Sequence, residues 1–526
     1  MRLSAKSRTI ALFPGAFRPP HAAHFAAVQE LASRPDVDEV VVIVSNRSRT
    51  LPGTTKVMGP EVGQRVWEIF SSGFPSIRVE IAPRTAIEHA LGYFGRCQRG
   101  DSLLFCLGEA DQSRSDPRFA ALSTLSADHG VRASVVAART GSMPVRATHL
   151  REALSAGPSG RASFLNSLPA HLCTAQQTAV WQLCQEGLHD ISDVAIDRAR
   201  VLAPQWGFGD ACKIDCVRTA KLDPVVRVEF AGGRVVFLKD AGDTVEAGGV
   251  GNQACPKPAA RIGVERRAIR RLGTVAGVEL PEVVWFDKEL RTLVLSEVCP
   301  SGTTLQSDLD RGEFDPHSAE ATGIALSALH SREISPLWGD ADGDVAHWRR
   351  MLAVKVQGFD DAIQPDLDRL SNWSDQSLEG CFVHLDFVPK NIRIGSTGVG
   401  VIDLELSSSR GDRAYDLGCL MAHYILHGHA RGVLTLTGQV FEGLAGAYRQ
   451  KLGESRWLAI EPRMIAFAGA EILYLGRNSS HWGKSGDLRA MGARLLNSGL
   501  SAANLVTGPK SLPNVIASCT TTGVGI

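Results

Sequence analysis

The 526-residue chain contains no run of about 18 uninterrupted apolar residues, the length a membrane helix needs. Its apolar N-terminal stretch is short and broken by Pro14, which argues against a signal peptide. A soluble, cytoplasmic protein is therefore expected. Net charge is also lacking. Lys plus Arg and Asp plus Glu number 56 each, so no overall field draws the chain to nucleic acid or anionic lipid. None of the 11 cysteines form a CxxC pair, and Cys212 and Cys216 have no His/Cys pair following at zinc-site spacing. An odd cysteine number in a long chain suits a reducing compartment. No internal repeat is present.

What is present is a globular composition, 44% hydrophobic with 21% charged residues, in a chain too long for one ordinary core. Residues 9–140 alternate strand-like runs (Thr9–Phe13, Glu39–Val44, Ser76–Ile81, Ser102–Leu107, Ala133–Ala138) with helical patterns near 21–33, 60–71, 84–97 and 116–124. The alternation predicts an α/β domain with a doubly wound parallel sheet. Residues 157–200 read as helical, with 176–203 as a connector. From Pro204 the pattern predicts a small β-rich lobe (Val225–Phe230, Val235–Lys239, Glu282–Phe286, Thr292–Glu297, with one helix Arg261–Leu272) and, from about 314, a larger helical lobe. The expected domains are 1–175, 204–506 and a loose tail at 507–526.

Two stretches carry chemistry. In Ile10-Ala-Leu-Phe-Pro-Gly-Ala-Phe-Arg-Pro-Pro-His-Ala-Ala-His24 a strand runs through a Pro/Gly turn into a helix that opens with His21 and His24. Their spacing puts both on one face of the first turn, where free N–H groups and the helix dipole favour an anion. A bound triphosphate is implied. Further along, Thr148 is a plausible helix cap with Arg151 one turn in, a second anion site.

The segment Gly15-Ala-Phe-Arg-Pro-Pro-His-Ala-Ala-His24 resembles the GxFxPxHxGH signature of the nucleotidyltransferase superfamily, and Val145-Arg-Ala-Thr-His-Leu-Arg151 resembles its late ISSTxxR motif. The resemblance covers about residues 8–172 and implies a Rossmann-like domain that transfers a nucleotidyl group to a phosphomonoester and releases pyrophosphate. It implies that His21 and His24 hold the triphosphate and stabilise the pentavalent phosphorus. Gly15 and Phe17 would meet the nucleotide, and Thr148 and Arg151 the β- and γ-phosphates, with Mg2+ on the phosphates. Arg18, Lys56 and Arg65 are weaker phosphate contacts with surface ion-pair roles as the alternative, and Gly108-Glu-Ala-Asp111 is either a nucleotide loop or a plain turn. Ala23 and Ala147 depart from the motifs. The late motif favours AMP over CMP transfer, hence ATP over CTP.

The second stretch is His384-x-Asp386-x-x-x-x-Asn391, followed by Val-Ile-Asp403-Leu-Glu405. The spacing fits a kinase catalytic loop, in which Asp386 accepts the proton of an acceptor hydroxyl while Asn391 and Asp403 hold Mg2+ against ATP. Lys239 ends a strand, Glu265 follows in the next helix, and Leu293–Leu305 (containing Glu297) precedes Ala325-Leu-Ser-Ala-Leu-His330. Together these resemble the aminoglycoside phosphotransferase and choline kinase family, over about residues 200–480. The resemblance implies a bilobal protein-kinase-like fold. It implies that Lys239 pairs with phosphate and with Glu265, and that the Glu297 segment meets adenine. Leu385 stands where that family usually has Gly, and Trp206-Gly-Phe-Gly-Asp210 is a weak candidate for its nucleotide loop. Asp416 is either a helix anchor or a ligand contact. The combined expectation is a bifunctional enzyme acting on a small-molecule alcohol and a phosphomonoester, with Mg2+ and ATP. An active kinase with a degenerate nucleotide-binding N-terminal domain is the alternative.

Overall fold

The computed structural model describes residues 7–46, 48–52, 54–83, 85–108, 122–138, 147–218, 224–240, 258–396, 398–478, 482, 486–502 and 515. The chain divides into two compact units. One comprises Met1–Arg234, Leu238–Gly248 and Asp287–Thr292; the other comprises Val235–Phe237, Gly249–Phe286 and Leu293–Ile526.

The first unit is built on a parallel sheet of β1 (Thr9–Gly15), β2 (Glu39–Val44), β5 (Ile77–Ile81), β6 (Ser102–Gly108) and β7 (Arg132–Ala138), in the order β5-β2-β1-β6-β7. Its strands are continuously apolar because both faces are covered. Ala11, Phe13, Val40, Val42 and Val44 pack on one side with Phe25, Val28, Trp67 and Phe70 from helices Ala22–Ser33 and Pro60–Phe70. Ile10, Leu12, Val41, Ile43 and Phe105 pack on the other with Ala86, Ala90, Tyr93 and Phe94. The chain fills the sheet outward from β1 to β5, then returns to place β6 on β1's other side. The order therefore reverses at the carboxyl end of β1, where doubly wound sheets form their ligand crevice.

The sequence pattern missed a second small sheet. In it β3 (Arg49–Thr50) and β4 (Lys56–Met58) pair antiparallel, and β8 (Leu188–Asp190) pairs with β4, Lys56 opposite Asp190. Strands of two or three residues leave no periodic signal. This pairing ties part of the expected connector to residues near position 56. β9 (Ala211–Arg218), also unpredicted, pairs antiparallel with β10 (Val225–Phe230). The Trp206–Asp210 segment packs aromatic rings on that strand: Phe208 and Trp206 lie 5.4 and 6.2 Å from Phe230.

In the second unit, helix Pro258–Leu272 precedes β12 (Val278–Glu279), and a sheet ordered β12-β17-β16-β15 follows, with β15 at Thr303–Thr304, β16 at Ile392–Gly395 and β17 at Gly398–Val401. β16 and β17 form a hairpin whose ends carry Asn391 and Asp403. Helices Pro316–His330, Ala341–Val356, Arg413–Arg431, Leu434–Leu452 and Glu454–Asn478 make the larger part. Among the described residues no helix is long and apolar enough to cross a membrane.

Candidate functional site

Helix Arg413–Arg431 organises the site of the second unit. Asp412 caps it, accepting from Ala414 N at 3.0 Å, and is itself held by Arg463. The cap fixes where the helix starts and so puts Asp416 in its first turn. Side chains there tilt back toward the N-terminus. Asp416 accordingly reaches the loop before β16: its carboxylate accepts from His384 N at 2.7 Å and Leu385 N at 2.9 Å, and bonds His330 Nε2 at 3.0 Å. His330, at the end of helix Pro316–His330, also bonds the Tyr448 hydroxyl at 2.8 Å. Asp416 is thus an anchor of the loop.

Leu385 has φ +65°, the left-handed region in which a side chain costs about 1–2 kcal/mol. That is the physical reason a glycine suits the position. Burial of the leucine side chain, 2% exposed, offsets the strain. His384 ties the loop to the hairpin. Its Nδ1 accepts from Asp386 N at 3.3 Å, so Nε2 carries the proton that goes to Ile402 O at 3.0 Å. Asn391 Nδ2 donates to Asp386 O and to Asp386 Oδ2, both at 2.9 Å, which leaves Oδ1 as the acceptor of that amide. Lys390 lies 3.0 Å from Asp386 Oδ2. Burial, the largest influence, acts to raise the Asp386 pKa, but the ammonium groups of Lys390 and Lys355 together outweigh it, and the carboxyl stays below its ordinary value. Asp403 also acts on Asp386, in the opposite sense to Lys390.

Asp403, in left-handed backbone (φ +66°), shares a buried cluster with Glu265 and Glu405, whose ligand oxygens lie within 4.8 Å of one another. Arg261 Nη1 is 2.6 Å from Glu405 Oε1. Helix spacing explains the arrangement: Arg261 and Glu265 are four apart on one face of helix Pro258–Leu272. Hard oxygen donors of this kind, with the Asn391 amide oxygen, suit a cation such as Mg2+. The sequence reading puts Glu265 in the nucleotide site as the partner of Lys239 and gives Glu405 no role, although the Asp-x-Glu spacing is visible. Lys239 is buried at the end of β11 (Val235–Asp240) in the first unit, whereas Glu265 belongs to the second. Glu297 is half-buried just beyond β14 (Thr292–Ser296), ahead of a turn in which Gly302 N bonds Cys299 O and Arg393 holds both carbonyls.

In the first unit His21 is the extended N-cap residue of helix Ala22–Ser33, and its ring stacks on that of His24 with centroids 3.7 Å apart. Burial pushes the His21 pKa down to about 4, and burial together with His21 lowers that of His24. Both rings are therefore neutral donors near pH 7, not cations. Their Nδ1 atoms are buried without a hydrogen-bond partner among the described residues. Arg151 Nη1 donates to Arg18 O and Nη2 to Thr148 Oγ1, both at 3.1 Å, so the late motif meets the early one across 133 residues of sequence. The Arg18 side chain is buried and donates to Ser45 O.

Several expectations need correction. Thr148 is not a cap, because the helix begins at Ala147 and the hydroxyl serves Arg151. Ala22 N, one of the free amides expected to face an anion, donates to Ser167 O at 3.0 Å. Phe17 is a core residue between Phe13, Trp67 and His24, with centroids 5.2, 5.3 and 5.1 Å away. Gly15 answers to that ring, since a Cβ there would lie 2.4 Å from Phe17 Cζ. Lys56 sits on β4, where its charge acts on Asp190, and Arg65 is exposed. Glu109 to Asp111 and Val145 to Arg146 lie outside the described residues.

Residues 223–456 match the model of the phosphotransferase enzyme family, which makes this region phosphotransferase-like. Solved structures similar to the chain include three examples. The macrolide 2'-phosphotransferase MphH from Brachybacterium faecium is 17% identical, covering 58% of this chain and 98% of its own, with TM-score 0.35. A thermostable mutant of aminoglycoside phosphotransferase APH(4)-Ia with AMP-PNP and hygromycin B is 18% identical, covering 58% and 98%, with TM-score 0.38. A choline/ethanolamine kinase family protein from Mesorhizobium loti is 17% identical, covering 62% and 98%, with TM-score 0.37. No curated protein matches the chain.

Proposed function

We propose that residues 204–506 transfer the γ-phosphoryl group of ATP to a hydroxyl of a small molecule. Asp386 takes the hydroxyl proton, the alcohol oxygen bonds to the γ-phosphorus, and the bond from that phosphorus to the bridging oxygen breaks, leaving ADP. Asn391 Oδ1 and Asp403 would hold Mg2+, which neutralises charge on the phosphates. The observation that carries this reading is the pair of hydrogen bonds that Asn391 Nδ2 donates to Asp386, which keeps base and amide in register.

For residues 1–175 we propose nucleotidyl transfer to a phosphomonoester, AMP in preference to CMP. The stacked His21/His24 pair at the sheet's order reversal and the Arg151–Arg18 contact support it. The buried Phe17 and the engaged Ala22 amide favour instead a degenerate nucleotide-binding domain beside an active kinase. If the fusion reflects consecutive steps, the kinase product is the phosphomonoester the first domain consumes.

Incubation with a metabolite extract, ATP and CTP, read by mass, tests both halves. One added phosphate that disappears in Asp386→Asn is expected. One added nucleoside monophosphate, with pyrophosphate, that disappears in His21→Ala supports the bifunctional reading. Pyrophosphate release that survives His21→Ala overturns it.

A further inference from the structure

The cluster of Glu265, Asp403 and Glu405 draws on two segments: helix Pro258–Leu272 and the turn that follows β17. Besides the Arg261–Glu405 contact, residues 335–338 form a strap between them. Beyond Glu265 on the helix, Arg267 Nε donates to Leu337 O at 2.9 Å and Arg271 Nη1 to Ser335 O at 3.1 Å. At the strap's other end Trp338 Nε1 donates to Ser407 O at 2.9 Å. The Trp338 ring stacks on that of His347, centroids 3.9 Å apart, and His347 Nε2 donates to the adjacent Leu406 O at 2.7 Å.

Asp344 ties these contacts together. It lies in the first turn of helix Ala341–Val356 and is fully buried. Its Oδ1 accepts from Trp338 N at 2.6 Å. Its Oδ2 accepts from Leu337 N at 3.1 Å, Ser409 N at 2.7 Å and Ser408 Oγ at 3.3 Å. The peptide joining Leu337 to Trp338 is thus clamped on both edges, its carbonyl by Arg267 and its N–H by Asp344. A trans peptide points these groups in opposite directions, so guanidinium and carboxylate face each other through it. Both bonds are charge-assisted, and each polarises the peptide in favour of the other. Gly343 permits the close approach, since a Cβ there would lie 2.3 Å from Trp338 O.

A buried carboxylate is costly unless donors replace its water. The donors to Asp344 come from the strap and from the turn, so it is satisfied only with both in place. The turn starts at Asp403, whose left-handed backbone (φ +66°) persists where the surroundings hold it. Ser408 also exchanges two backbone bonds with Val383, 2.9 Å each, one residue before His384.

We infer that Asp344 is a positioning residue for the carboxylates that would hold the divalent cation. Through Arg267 and the clamped peptide on one side, and Ser408 and Ser409 on the other, it sets Asp403 and Glu405 relative to Glu265. The inference rests on the phosphotransfer reading and deepens it at the cation site.

The test measures Mn2+ binding to the full chain with AMP-PNP present, by electron paramagnetic resonance. Asp344→Asn turns a donor toward N–H groups and is expected to weaken Mn2+ binding more than tenfold. Trp338→Phe keeps a ring on His347 and removes only the bond to Ser407; it weakens binding several-fold, as does Arg267→Met. AMP-PNP affinity without cation stays within twofold of the parent. The cation needed for half-maximal phosphotransfer shifts in parallel, while the rate at saturating cation changes far less. Val440→Ala, in the core of helix Leu434–Leu452, lowers stability and leaves Mn2+ binding at the parent level. Parent-like Mn2+ binding in Trp338→Phe and Arg267→Met overturns the inference, whether or not Asp344→Asn folds. An equal shift in Val440→Ala overturns it too. Asp403→Asn separates the two readings. If it loses Mn2+ while the strap variants do not, only this inference falls; if it binds Mn2+ like the parent, the cation site falls with it.

Discussion

The carboxylate of Asp416 accepts the backbone N–H of Leu385 at 2.9 Å, one residue before Asp386. With the bonds to His384 N and His330, it makes one buried side chain responsible for the loop's conformation. Hydrogen bonds to a charged group are worth about 1.5–3 kcal/mol each. Asp416→Asn should destabilise the chain by about 3 kcal/mol in urea denaturation and abolish phosphotransfer. Asp386→Asn should abolish transfer with stability nearly unchanged. Equal stability of Asp416→Asn and the parent would count against the anchoring role.

At Leu385 two effects oppose each other. Removing the buried side chain costs about 2–5 kcal/mol, but glycine relieves about 1–2 kcal/mol of left-handed strain. Leu385→Gly should therefore be more stable than Leu385→Ala by about 1 kcal/mol, the reverse of the usual order. Denaturation midpoints of the two variants decide it.

Gly15 accommodates a ring. Gly15→Ala should cost about 1–3 kcal/mol through overpacking against Phe17. Combining it with Phe17→Leu should recover part of that, giving a coupling term in a double-mutant cycle. Were the glycine there only for a nucleotide, the ligand-free protein would be indifferent to the substitution.

His21 predicts an acid limb of stability. Its folded pKa of about 4 lies below the ordinary 6.5, so the unfolded chain binds the proton more readily. The stabilisation is complete above pH 6.5 and is lost as pH falls through the window down to about 4. His21→Gln should lose less stability than the parent between pH 7 and pH 4.5. Parallel loss in the two proteins would contradict it.

The sequence located the strands of the parallel sheet to within a residue or two, because runs such as Glu39-Val-Val-Val-Ile-Val44 have one physical explanation, burial on both faces. The hairpin that separates Asn391 from Asp403 is likewise local, which is why their spacing can be read along the chain. Short pairings such as β4 with β8 left no mark, being made by residues 130 or more positions apart. The packing of Phe17 against Phe13 and Trp67, and the bond of Thr148 to Arg151, were not legible, because a motif names residue types and not the direction a ring or hydroxyl takes.

By itself, then, the order of residues determined the periodic elements and the local loops, through backbone geometry and apolar burial that act over a few residues. Only the tertiary structure decided that Asp416 grips the loop of Asp386, that Glu265 joins Asp403 and Glu405, and that Lys355 sits on Glu471. Each of those contacts joins side chains from distant segments, and a charge finds its partner only once packing has removed the water between them.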